Sequence, residues 1–282
     1  MNRLTPREHV RRLRLYYRSN RLFHERLENP QIARWLPWQP GGRMVELRFR
    51  SGRSMRMPAR QWPLLPSACR LERIGAEFEF LEDAKRVRVD GLTMYSPLWA
   101  RDEASYYQEV FLDDAYGVRN RDLAGCTVVD VGAYVGDSSI AFARQGASVH
   151  AFEPSETFCR FIRRNLSENG LAGRVVLYEV GLAERAQTVA TRHDRLQLVE
   201  GVAYALGHLP RGIELLKLDC EGSEYHLLGD PRFLDHLAPR EIRLEYHRGL
   251  EGIAGPLDGA GYEVKLAGPP AKVGLLTARR KT

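Results

Sequence analysis

The sequence predicts an α/β domain built on a doubly wound, mostly parallel sheet of seven strands, preceded by an N-terminal extension of helices and β-hairpins. Three observations predict it. From about residue 123, apolar runs of strand length alternate with segments of helical period, the pattern of a parallel sheet with helices on both faces. The last segment, "YEVKLAGPPAKVGLLTA", reads as two strands around a Gly-Pro-Pro turn and puts one antiparallel strand into that sheet. The first ~110 residues show no such alternation; their strands are short, period-two and closed by tight turns. The expected division is an extension over 1–106 and a domain over 107–282.

In the extension, Leu4, Val10, Leu13 and Tyr17 fall near helical spacing and predict a short amphipathic helix. Pro30, Pro37, Pro40 and Gly41-Gly42 break what precedes them. In "MVELRFRSGRSMRMPA", Val45, Leu47 and Phe49 alternate with Glu46, Arg48 and Arg50; Ser51-Gly52 supplies the turn, and Met55 and Met57 continue on a partner strand. "RVRVDGLTMY" repeats the arrangement around Asp90-Gly91.

The totals are those of a globular protein, with 44% hydrophobic and 9% aromatic residues. No apolar run approaches the ~20 residues that span a bilayer, and the charged N-terminus lacks the apolar core of a secretory signal. Cys69, Cys126, Cys159 and Cys220 form no CxxC pair, which argues against a zinc site and a disulfide framework. A reduced, cytoplasmic setting is expected. The net charge is +6, and arginine dominates: five lysines stand among 42 basic residues, and eight arginines lie in the first 26 positions. Such a cluster suits phosphate or nucleic acid, and it equally suits a solvated helix face.

Within the domain, "CTVVDVGAYVGDSSIAFARQGA" is a strand, a glycine turn and a helix. "SVHAFEPSETFCRFIRRNLSENG" is a second strand and a helix with Phe158, Ile162 and Leu166 on one face. "RVVLYEVG", "IELLKLD" and "REIRLEYH" supply the third, fourth and fifth strands. Asp130 ends the first strand, Gly132 and Gly136 bracket the turn, and residues 137–139, beginning Asp137-Ser138, open the helix with free amides. Glycines let backbone approach a ligand closely, and helix amides favour a carboxylate or phosphate. The spacing is GxxxG, not the dinucleotide GxGxxG. Asp130 suits an ammonium group, directly or through water. Glu153, twenty-one residues after Gly132, ends the second strand before Pro154 and Ser155, where an acid can accept two hydrogen bonds from a ribose diol. A ligand with an amino-acid end and a ribose end describes S-adenosyl-L-methionine.

"VVDVGAYVGDSS", "AFEPS", "LLKLDCEGSEYHLL" and "IRLEYH", in this order, resemble the FkbM family of class I S-adenosylmethionine-dependent methyltransferases, whose domain is Rossmann-like. The resemblance covers roughly residues 107–280, including "YYQEVFLDDAYGV", and D-x-E-G-x-E is its most specific block. Tyr134 stands where the family motif often has asparagine. Class I enzymes often carry an acid after the third strand, near adenine. Here "YEVGLAE" offers Gly181 and Leu182, so backbone and apolar contacts would serve.

The resemblance implies that the fourth strand ends beside the activated methyl group, which brings Asp219 to the reacting centre and Glu221 to its mouth. "LEYH" brings Glu245 and His247 to the same edge. Methyl transfer to an alcohol needs in-line alignment and a base for the hydroxyl proton. Two residues qualify as that base: His247 by its ordinary pKa and Asp219 by its position, since crowded carboxylates raise one another. Glu221 has a second reading, at the start of the following helix. The acids would also suit magnesium, but the expected site has no metal. Lys217 is expected to pair with a carboxylate across the sheet, and Cys220 to be a packed residue.

The expected activity is O-methylation of a hydroxyl on a sugar, glycan or other small metabolite. Tyr16, Tyr17, Trp35, Trp38, Tyr95 and Trp99 offer surfaces for a sugar ring or for anchoring the extension to the core, and the extension itself is a candidate substrate lid or homodimer contact. Two alternatives stand beside it: an RNA methyltransferase using the arginine-rich N-terminus, and a non-catalytic cofactor-binding protein.

Overall fold

A computed structural model describes residues 17, 19–100, 107–191 and 194–281. The chain divides into two compact units, Met1–Gln108 and Glu109–Thr282. The amphipathic helix expected near the start lies outside the described residues except for Tyr17, as do six of the eight N-terminal arginines.

In the first unit, β1 (Met44–Arg48) and β2 (Ser54–Pro58) form the expected hairpin, with Leu47 opposite Met55. Alternation puts Leu47, Met55 and Met57 into a core with Phe23, Leu27, Ala68 and Cys69, while Arg48 and Arg56 stay exposed. A three-stranded antiparallel sheet follows, of β3 (Glu77–Phe80), β4 (Ala84–Val89) and β5 (Leu92–Pro97). Val89 pairs with Leu92, and Asp90 and Gly91 between them have φ of 49° and 72°, as a two-residue hairpin turn requires. The sequence reading found β4 and β5 but not β3, whose "EFEF" is at most half-buried. Of the aromatics offered for sugar stacking, Tyr17, Trp35, Trp38 and Trp99 are exposed, Tyr95 is buried, and Tyr16 lies outside the described residues.

The second unit is built on seven strands: β6 (Thr127–Val131), β7 (Ser148–Phe152), β8 (Val175–Tyr178), β12 (Leu215–Leu218), β13 (Glu241–Tyr246), β14 (Tyr262–Leu266) and β15 (Gly274–Arg280). Their spatial order is β14-β15-β13-β12-β6-β7-β8, and β15 alone runs antiparallel to its neighbours. The order reverses between β6 and β12, the switch point where ligands of such sheets bind. β12 is buried at every position, as a central parallel strand must be. Leu215, Leu216 and Leu218 are each fully buried, worth about 1.5–3 kcal/mol apiece.

The helix Asp137–Arg144 follows β6, and the helix Glu156–Glu168 follows β7. Ser155 caps the latter by accepting from Phe158 N at 3.1 Å, and its Cys159, Ile162 and Leu166 face the core. One element was not expected: a small sheet of β9 (Gly181–Ala183), β10 (Gln187–Ala190) and β11 (Arg195–Glu200) between β8 and β12. Every residue of β10 is exposed, so no hydrophobic alternation announces it.

Candidate active site

Asp130, at the end of β6, is fully buried. Its Oδ2 accepts from Ser138 Oγ at 2.7 Å and Ser139 Oγ at 2.6 Å, both in the first turn of the helix that follows β6. Its Oδ1 lies 3.1 Å from Lys217 Nζ, an ion pair short of hydrogen-bond alignment. Lys217 is directly opposite Asp130 in the register of β12 and β6. Its ammonium donates to Gly132 O at 2.5 Å, lies 4.0 Å from Asp219 Oδ2 and sits 5.3 Å from the centroid of Tyr116. Burial alone would lower the Lys217 pKa, but Asp130, Tyr116 and Asp219 hold it well above the usual value. The sequence expectation that Lys217 pairs across the sheet is met, and the pair lies under the turn.

The turn is set by two left-handed glycines, Gly132 at φ 86° and Gly136 at φ 87°. At Gly132 the close neighbour is protein: a Cβ there would lie 1.7 Å from the carbonyl oxygen of Asp219. The missing side chain thus lets the β6 turn rest on the tip of β12. Tyr134 is also left-handed, at φ 51°, a conformation asparagine tolerates better than a bulky residue. Its ring meets Phe158 edge-on at 4.5 Å.

Glu153, at the end of β7, is 5% exposed. Oε2 accepts from Tyr134 N at 2.8 Å and Oε1 from Ser155 N at 2.9 Å. Burial pushes its pKa up to about 8 against the pull of those amides. Asp137 is pushed up to about 7, again chiefly by burial. Pro154 O accepts from Gln197 N of β11 at 3.1 Å, and the Ser155 hydroxyl donates to Asp194. Gly181 is packed in β9 against Pro154 and Leu198. The Leu182 side chain belongs to the hydrophobic core, which leaves only its backbone for a ligand.

At the tips of β12 and β13, His247 Nε2 lies 3.7 Å from Asp219 Oδ1 and 3.7 Å from Glu221 Oε2. Tyr116 donates its hydroxyl to Asp219 Oδ2 at 3.3 Å. Glu221 is exposed, with φ of 53°, and stands outside the helix Glu224–Gly229. The reading that placed it at the start of that helix is corrected: Glu224 occupies the first turn, because the chain must reverse through left-handed Glu221 and Gly222 first. Glu224 is fully buried, and its Oε1 accepts from His247 Nδ1 at 3.0 Å and His247 N at 3.2 Å. Burial pulls the His247 pKa down, but Glu224, Glu221 and Asp219 bring it above its ordinary value. Glu245 rises to about 7 through burial, then through Asp219 and Glu109. Glu109 rises through burial, then through Asp219. Among the described residues no three His, Cys, Asp or Glu side chains are grouped to hold a metal ion.

Asp219, Glu221 and His247 are therefore brought together at one edge, with Glu245 in their field. Asp130, Gly132, Tyr134, Gly136, Asp137, Ser138, Glu153, Pro154 and Ser155 form the adjoining turns. Sequence reasoning gave Ser139 only a backbone amide at the helix start and assigned no part to Tyr116, Glu109 or Glu224. Glu224 was legible as the last acid of D-x-E-G-x-E; the other three carry no distinguishing spacing.

A seven-stranded sheet in this order, with acids at the tips of β6, β7 and β12, is the architecture of a class I methyltransferase. Residues 130–260 match the model of the methyltransferase FkbM domain. Among solved structures, a methyltransferase FkbM from Methylobacillus flagellatus is 17% identical with a TM-score of 0.45. The match covers 61% of this chain and 47% of that one, less than half of its length. A precorrin-6y C5,15-methyltransferase from Geobacter metallireducens is 21% identical with a TM-score of 0.44, over 62% of this chain and 89% of that one. A tRNA m1G37 methyltransferase from M. jannaschii is 11% identical with a TM-score of 0.47, over 72% and 59%. No curated protein sequence matches the chain. Among the described residues no helix is long and apolar enough to cross a membrane.

Proposed function

We propose that the protein is an S-adenosylmethionine-dependent O-methyltransferase acting on a hydroxyl of a sugar, glycan or other small polyol, with His247 as general base. The observation that carries this reading is the His247 imidazole, whose Nε2 faces the gap between Asp219 and Glu221 at the switch-point edge. An imidazole takes a proton near neutral pH.

The residues present fit the cofactor. Glu153 is a buried acid whose two oxygens are each anchored by one amide and retain lone pairs for a ribose diol. Asp130, hydrogen-bonded by Ser138 and Ser139 and ion-paired with Lys217, shapes the turn that would receive the amino-acid end. Gly181 and Leu182 would meet the adenine side through backbone. When bound, S-adenosylmethionine supplies a methyl group on a sulfonium, a carbon open to in-line attack. Asp219, fixed by Tyr116, would accept from a second, neighbouring hydroxyl of the acceptor and so aim the reacting one. His247 Nε2 would take the proton of the reacting hydroxyl, leaving its oxygen free for the methyl group that the cofactor would supply.

The acids Glu109, Asp219, Glu221 and Glu245 favour a neutral, hydrogen-bond-donating acceptor over a phosphate beside the base, which weighs against the RNA reading. The first test is calorimetric titration with S-adenosylhomocysteine, with NAD as control. Micromolar binding of the former alone is expected, followed by methyl transfer in a screen of sugars and glycans that His247→Gln and Asp219→Asn abolish without loss of cofactor affinity. No binding by the native protein sinks the cofactor reading, and turnover in His247→Gln sinks the assignment of the base.

A further inference from the structure

We infer that Glu224 is the positioning residue of this site: it fixes the tautomer and ring orientation of His247 so that Nε2 is the free, proton-accepting nitrogen. The inference rests on the reading of His247 as the base and extends it to a residue that no part of that reading requires.

The geometry argues it in three steps. First, Glu224 is wholly buried although it is an acid, and a buried acid must have its lone pairs engaged. Its Oε2 accepts from Gly222 N at 2.8 Å and lies 3.5 Å from Cys220 Sγ, while Oε1 accepts from the backbone N and ring Nδ1 of His247. One side chain therefore ties the loop after β12 to the tip of β13. Second, a carboxylate only accepts, so the ring nitrogen facing it must carry the proton. In the neutral imidazole this leaves Nε2 as the acceptor, and Nε2 is the nitrogen that faces Asp219 and Glu221. Third, the junction is braced from the side. Arg248 donates to Gly222 O at 2.7 Å, and its backbone N donates to Tyr225 Oη at 2.7 Å. Tyr225 in turn donates to Gly249 O at 2.7 Å. The ring cannot rotate away without breaking a connection between two strand tips.

Base, orienting carboxylate and free nitrogen thus form the base half of the arrangement used by triad enzymes. The charged groups facing His247 are Asp219, Glu221 and Glu224 from the β12 side and Glu245 on its own strand, with Lys217 behind Asp219 and Arg248 next in sequence. All the acids favour the imidazolium, but only Glu224 selects which nitrogen keeps its proton when the ring is neutral.

The test is long-range proton–nitrogen NMR of the full ¹⁵N-labelled chain, with His247 assigned among the eight histidines by the His247→Gln variant. The expected result is a single Nδ1–H tautomer above the His247 pKa. In Glu224→Gln the pKa should fall by about one unit or more and the tautomers should become mixed. A native Nε2–H tautomer overturns the inference, and so does an unchanged pKa in a folded Glu224→Gln variant. Should that variant fail to fold, the native tautomer alone decides. S-adenosylhomocysteine titration of the same sample tests the underlying function separately, since the tautomer is read without ligand.

Discussion

Removing the Lys217 ammonium while leaving Asp130 in place is the most informative stability perturbation. The two groups lie 3.1 Å apart and are 2% and 0% exposed. At an effective dielectric of about 20 their attraction is about 5 kcal/mol, opposed by the cost of drying both. Lys217→Met replaces the stem with one of similar shape and strands a buried carboxylate, which costs about 3–5 kcal/mol. Adding Asp130→Asn removes the stranded charge and keeps an acceptor for Ser138 and Ser139. The double variant should therefore recover about 2 kcal/mol relative to the sum of the two single changes. The choice of probe matters, because the four tryptophans, Trp35, Trp38, Trp62 and Trp99, all lie in the first unit and their emission reports on that unit. Hydrogen exchange of peptides covering β6 and β12 in graded urea reads the right place. Strict additivity, or a Lys217→Met chain as protected as the native one, would refute the claim that this pair supports the turn.

Gly132→Ala places a Cβ 1.7 Å from the Asp219 carbonyl at a left-handed φ and should cost about 2–5 kcal/mol from overpacking and strain together. Gly52→Ala, at the same φ with nothing within 4 Å, is the control and should cost about 1 kcal/mol; equal losses in urea unfolding would remove the contact from the explanation. Ser139→Ala deletes one of two hydroxyls donated to buried Asp130 and should lower stability by about 1–3 kcal/mol, seen as faster exchange in β6. Glu153 binds a proton more tightly folded, at about 8, than its ordinary 4.5. Its contribution is thus complete below about pH 4.5 and lost as pH rises through 8, so the free protein should become easier to unfold across that window. A diol donating to the ionised acid should expel that proton. S-adenosylhomocysteine binding at pH 7 is therefore expected to release about one proton, and calorimetry giving the same heat in buffers of different ionisation enthalpy would refute it.

The Lys217–Asp130 pair also marks where reading the sequence stops. Seven strands and the acids at their tips were legible because burial leaves a local record: "VVDV" and "LLKL" are apolar runs broken by a single charge each, and each ends in its turn or its acids within two residues. The β9-β10-β11 sheet was not, because the exposed Gln187–Ala190 gains no apolar burial and so carries no pattern. In the site, the sequence by itself determined that Asp219, Glu221, Glu245 and His247 reach one edge, since parallel strands deliver their carboxyl ends together. Only the tertiary structure decided their division of labour. Glu221 is turned out to solvent, Glu224 is buried against His247, and Lys217 is drawn beneath the turn to Asp130. The physical reason is that strand order and burial are fixed by apolar periodicity along the chain. The tautomer and charge of a side chain are fixed by atoms within about 4 Å, and at Asp130–Lys217 and Glu224–His247 those atoms are 87 and 23 residues away in sequence.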